Sequence, residues 1–125
     1  MTWPPLRPEV IAKTRERLQA IYQRARASFA EELAAIDAAV NRLKTGALDE
    51  PEQRAAERAA HRLAGTAGTF GFPEATEPAR RLEVAFTHPL HPESVHRLAT
   101  DAAALRRILD GDQVPAREQQ EPPQP

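Results

Sequence analysis

The sequence predicts an all-α fold: an antiparallel four-helix bundle with a long N-terminal helix and a disordered, Pro-rich C-terminal tail. Three observations carry the prediction. The apolar content is mostly Ala and Leu, with few β-branched or aromatic side chains, a composition that favours helices over sheets. Apolar positions recur at helical spacing in four tracts. Pro8, Pro51, Gly46 and Gly111 fall where those tracts would start and stop.

The first tract covers residues 8–45. Val10, Ile11, Leu18, Ile21, Tyr22, Phe29, Leu33, Ile36, Val40 and Leu43 recur along it, Pro8 suits a first turn, and Gly46 suits a C-terminal stop. It is longer than an ordinary globular helix, so the expectation is either one protruding helix or two with a break near Ser28. Tyr22 and Phe29 read as core; on a helix that projects beyond the bundle they become candidates for a dimer seam.

The second tract runs over residues 50–70, with Pro51 in its first turn and Gly71-Phe72-Pro73 as its end. The third covers residues 76–87, with Thr76 as the expected cap because Pro78 fits only a first turn. The fourth covers residues 92–110, with Gly111 as its stop and Leu98, Ala102, Leu105, Ile108 and Leu109 as its apolar stripe. Short connections make successive helices antiparallel neighbours. The bundle is thus assigned to residues 8–111, with 1–7 and 112–125 extended or disordered. The tail QVPAREQQEPPQP reads as a solvated linker or end. Trp3, among the N-terminal prolines, reads as a tag-like end or a cover for the bundle.

Composition removes several function classes. There is no Cys, which excludes disulfides, thiolate zinc sites and cysteine nucleophiles. A net charge of −1 supplies no field that would draw the chain to nucleic acid or an anionic membrane. No apolar run approaches the roughly 20 residues that span a bilayer, and MTWPPLRPEV lacks the layout of a signal peptide. A soluble, cytoplasmic protein with no cofactor and no metal is expected. His88, His91 and His96 fall around a proline-broken loop, without the i,i+4 pairing of a helical metal site, and read as solvated. Arg80-Arg81 and Arg106-Arg107 read as solvated helix faces.

The stretch AHRLAGTAGTFGF, residues 60–72, is the most informative in the chain. With Leu63 set toward the core at about 100° per residue, Ala56, Ala59, Ala60, Ala67 and Phe70 fall within about 60° of it. His61 falls about 160° away, with Gly65 and Gly68 on its side of the helix and Arg54 and Arg58 flanking that face. Each Gly costs about 1 kcal/mol relative to Ala inside a helix, so two of them beside an exposed His suit close approach by a large partner. The competing reading is a solvated His beside a fraying, Gly-rich helix end. An imidazole in water is largely unprotonated at neutral pH and can accept a phosphoryl group. Arg54, Arg58 and Arg62 are the cations near enough to contact such a group or its donor.

The residues AHRLAGTAGTFGFPEATEPARRLE resemble the signature of histidine phosphotransfer (HPt) domains. The likeness rests on His61, Leu63, Gly65, Thr66, Ala67, Gly71 and the pair Leu82-Glu83, and it covers residues 56–86. It implies a four-helix bundle without catalytic machinery of its own, a phosphocarrier rather than an enzyme. His61 would take a phosphoryl group from the aspartyl phosphate of a response-regulator receiver domain or a hybrid histidine kinase and return it to another. Gly65 would admit the receiver, which would supply the Mg²⁺ and the acidic pocket; Gly68, Arg58, Arg62 and position 64 would complete the docking face. Many members carry Lys three residues after the His, where this chain has Ala64, a departure that bears on how the phosphoryl group is held. A monomer is expected. The alternatives are an HPt-like docking or dimerisation module that is never phosphorylated, or a purely structural dimerisation domain built on the first helix. No nucleophile–base pair or cofactor loop supports a hydrolytic or redox enzyme.

Overall fold

The computed structural model describes residue 5 and residues 7–111. Trp3 and the tail from residue 112 onward lie outside the described residues. Four helices run α1 (Pro8–Lys44), α2 (Glu50–Thr66), α3 (Thr76–Thr87) and α4 (Ser94–Asp110), with 3₁₀ turns at Gly68–Phe70 and Pro73–Ala75 between α2 and α3. No strand occurs among the described residues. Each helix packs against its neighbours in sequence, and α4 closes the ring against α1.

α1 is one unbroken helix of 37 residues, which settles the alternative of a break near Ser28. At 1.5 Å per residue it is about 55 Å long. Pro8 occupies the first turn, where its missing N–H costs nothing. Gly46 ends the helix in the left-handed region at φ +70°, while the Ala47 N–H reaches back to the Arg42 carbonyl at 2.9 Å. Only the second half enters the core: Phe29, Leu33, Ile36, Val40 and Leu43 are buried, whereas Val10, Ile11, Leu18 and Ile21 are exposed.

α2 starts at a capping box. The Asp49 carboxylate accepts the Glu52 N–H at 2.8 Å, and the Glu52 side chain accepts the Asp49 N–H at 3.3 Å. Ala56, Ala59, Ala60 and Leu63 are wholly buried, as their angular positions require. These small side chains let α2 sit close to both α1 and α3.

The expected helix over residues 50–70 ends sooner as an α-helix, at Thr66. Its last turn tightens into the 3₁₀ segment, and Gly71 at φ +96° closes it; the Phe72 N–H bonds the Ala67 carbonyl at 2.9 Å. Aromatic packing accounts for the turn. Phe70 and Phe72 both meet the Phe29 ring edge-on at centroid distances of 6.1 and 6.2 Å, and Tyr22 meets Phe70 at 5.9 Å.

Two expected caps fail. Thr76 is already helical and its side chain caps nothing, because the Pro73–Ala75 turn feeds α3 through a helical Ala75 and leaves no extended capping residue. α4 ends at Asp110, directly before Gly111 as expected, but Gly111 is extended at φ −62° and not left-handed. α4 itself begins at Ser94 because Pro92 and Glu93 form a turn in which the Ser94 N–H bonds the His91 carbonyl at 2.8 Å.

Charged pairs tie the helices together. Arg42 bonds Glu52 at 3.0 Å across α1 and α2. Arg81 bonds the buried Asp101 at 3.0 Å across α3 and α4, and Arg106 pairs with Asp37 across α4 and α1. Arg81 and Arg106 are therefore cross-helix ties rather than merely solvated faces. The periodicity of a single helix does not reveal them, because each partner lies on another helix. Gln53 donates to the carbonyls of Phe86 and His88 at 2.9 and 3.1 Å, satisfying the end of α3 from the start of α2.

Candidate functional site

His61 sits on the outer face of α2 with its side chain 75% exposed. The turn beneath it is held by Ala60 and Leu63, both wholly buried, so the imidazole is fixed at its base and open at its tip. Its Nδ1 lies 2.9 and 3.2 Å from the two carboxylate oxygens of Glu83 on α3. A carboxylate only accepts, so Nδ1 carries the proton and the neutral ring keeps its lone pair on Nε2. In a neutral ring, Nε2 is then the nitrogen left to act as a nucleophile.

Glu83 reaches that position because Leu82 beside it is wholly buried and Ala79 and Phe86 fix the inner face of α3. One residue along the helix turns the side chain by about 100°, from the core to the seam between α2 and α3. Sequence reasoning placed Glu83 in the Leu82-Glu83 pair but gave it no task. Its signal was present only as part of that pair.

The three arginines near His61 separate in the structure. Arg54 bonds Glu50 through Nη2 at 2.7 Å and Nε at 3.1 Å; this bond, more than the nearby charge of Glu57, raises its guanidinium above the ordinary value. Arg62 turns toward α1, where its Nε bonds Glu32 Oε1 at 3.1 Å. The Glu32 side chain is 7% exposed and its Oε2 has no hydrogen-bond partner, so Arg62 supplies a counter-charge that the buried carboxylate needs. Arg58 makes no ion pair among the described residues. It lines a depression of about 350 Å³ with Glu57, His61, Arg62 and Glu83.

The glycines also separate. A Cβ at Gly65 would meet no atom within 4 Å, so the surface one turn beyond His61 is open. A Cβ at Gly68 would lie 3.6 Å from Thr76 Oγ1 and 3.8 Å from the Pro73 Cα, so Gly68 faces the start of α3. Ala64 is half-buried and packs against the edge of the core. The structure therefore brings His61, Gly65, Arg58 and Glu83 to one surface, keeps Arg62 at the edge of the same depression with its guanidinium tied to Glu32, and turns Gly68 toward the start of α3.

His88, His91 and His96 are all exposed, and His88 Nδ1 is 2.8 Å from the Val84 carbonyl. Among the described residues no group of three or more His, Asp or Glu side chains is placed to hold a metal ion. No helix there is long and apolar enough to cross a membrane.

Comparison with known proteins adds one match. The family model described as the Hpt domain matches residues 9–110, the whole of the helical bundle. Neither the curated proteins nor the solved structures compared with the chain give a match.

Proposed function

From the premise that this chain belongs to the Hpt domain family and is a histidine phosphotransfer module, we propose that His61 relays a phosphoryl group between aspartyl phosphates. The donors and acceptors are response-regulator receiver domains or a hybrid histidine kinase in the cytoplasm. The observation that carries the reading is the exposed imidazole whose Nδ1 is held by Glu83. In the transfer the Nε2 lone pair attacks the phosphorus of the partner's aspartyl phosphate. The N–P bond forms as the acyl P–O bond breaks, and the aspartate leaves as carboxylate. The Nδ1 proton stays shared with Glu83, which offsets the positive charge that develops on the ring. The return step reverses these movements. The chain itself contributes positioning, and the partner contributes the electrophile.

Gly65 and Arg58 have separate tasks in this reading. Gly65 clears the path for the partner. Gly65→Leu is expected to leave the fold at least as stable, because the space is open and Leu favours the helix by somewhat less than about 1 kcal/mol over Gly. Transfer from a phosphorylated receiver should nevertheless fall more than tenfold. Unchanged transfer together with an unchanged or raised melting temperature would remove Gly65 from the docking face. Arg58 is the cation the site has to offer the phosphoryl oxygens, since Arg62 is engaged with Glu32. Arg58→Gln should shorten the lifetime of the phosphohistidine, and Glu83→Gln should slow its formation. If both variants match wild type in a timed transfer from phosphorylated receiver, Arg58 does not steady the phosphoryl group and Glu83 does not support the attack.

A second reading, a docking module that is never phosphorylated, is favoured by Ala64 in place of the usual Lys. It requires receiver binding with no label on the wild-type chain. An acid-labile, base-stable label after incubation with phosphorylated receiver decides for the relay, and bound receiver without label decides against it.

A further inference from the structure

The exposed half of α1 carries an apolar stripe that the bundle does not use. Val10, Ile11, Leu18 and Ile21 are 39–48% exposed, and together they are four of the five large apolar side chains exposed in the described residues. Ile11, Thr14, Leu18, Ile21 and Ala25 follow one another at alternating spacings of three and four, the repeat of a coiled-coil seam.

The stripe continues the core face beyond the bundle: at about 100° per residue Leu18 stands five full turns before Ile36 and points the same way, and Ile11, Thr14 and Ala25 fall within about 40° of it. The bundle simply ends before it covers this part of the face. At Ile21 and Ala25 the seam runs into a groove of about 400 Å³ between α1 and α2, walled by Ser28, Thr66 and Phe70.

Charge decides what fits there. Residues 8–27 hold five basic side chains and two acidic ones in a chain of net charge −1. Arg15 flanks one side of the seam, Arg17 and Arg24 the other, and all three are exposed. A second copy would bring together two segments that each hold five basic and two acidic side chains, and in the antiparallel orientation it would set Arg17 against Arg24. The seam also spans only about two heptads, short of the three to four that sustain a coiled coil. A membrane surface would leave unfilled the groove that the seam enters at Ile21 and Ala25, whereas a partner helix can lay a side chain into it.

We propose that the free half of α1 docks an amphipathic helix of a partner protein, with apolar residues on its seam and acidic residues on both flanks. This contact is independent of the chemistry at His61.

Two synthetic helices sharing one Leu/Ile seam, one flanked by Glu and the other by Lys, test it against the full chain. The Glu-flanked peptide should bind, more weakly as salt rises, and at least tenfold more weakly to Leu18→Ser. The double variant Arg17→Glu, Arg24→Glu should reverse the preference to the Lys-flanked peptide. All three positions are exposed, so circular dichroism should show unchanged helix content. The proposal is overturned if neither peptide binds or if the charge-reversed variant keeps the wild-type preference. It is equally overturned if the chain forms dimers, or binds phosphatidylserine vesicles, through a contact that Leu18→Ser abolishes.

Discussion

Replacing His61 with Gln is expected to abolish phosphoryl labelling of the chain while leaving its fold and its partner binding in place. The side chain is 75% exposed, so its removal takes little from the core, and Gln favours the helix at least as well as His. What disappears is the nucleophile. The other histidines, at 88, 91 and 96, lie in or just beyond the loop after α3, and none is held by a carboxylate among the described residues. Incubation with a phosphorylated receiver, followed by acid and base treatment, reads the result. A base-stable label that persists in His61→Gln would place the acceptor elsewhere. The circular dichroism spectrum and receiver affinity of the same variant separate loss of chemistry from loss of structure.

Leu63→Ala, two residues along the same helix, should do the opposite. Leu63 is wholly buried among the alanines of α2, which are too small to move in and fill the space it leaves. A buried Leu→Ala change costs about 2–5 kcal/mol, and each kcal/mol is worth roughly 4–8 °C in a domain of this size. A fall in melting temperature of about 10 °C or more is therefore expected, with labelling of His61 retained below the new midpoint. A shift of under about 3 °C would mean that the α2 stripe does not carry the core. A label lost while the chain is still folded would mean that the two faces of α2 are not separable.

The angular periodicity of α2 was enough to separate those faces before any tertiary contact was known. Ala56, Ala59, Ala60, Leu63 and Ala67 are buried and His61 is exposed because rotation per residue is a local property of the helix. The ends of the first tract and the Gly46 and Gly71 stops were legible for the same reason, but not whether that tract is one helix or two, because a continuous apolar period does not show a break. Glu83 was not, because its approach to His61 depends on how far α3 slides along α2, and the two residues are 22 apart in sequence. The pairing of Arg62 with Glu32, 30 residues away on α1, is of the same kind. The Thr76 and Gly111 caps failed at the level of backbone conformation. Residue type gave the propensity there, but the preceding 3₁₀ turn and the extended exit decided the outcome.

α1 is a rod gripped at one end. From Phe29 to Leu43 its peptide hydrogen bonds are locked by tertiary packing, so those amides open only when the bundle does. Toward Pro8 the hydrogen bonds are backed mainly by local helix propensity, and a helical segment of that length is marginal by itself. Amide exchange should therefore quicken steadily along α1 from Phe29 back to Pro8. Anything that closes on the outer half has to supply the ordering entropy that the bundle leaves unpaid there. Slowed exchange would then travel outward along the rod, residue by residue, and record how far the grip extends.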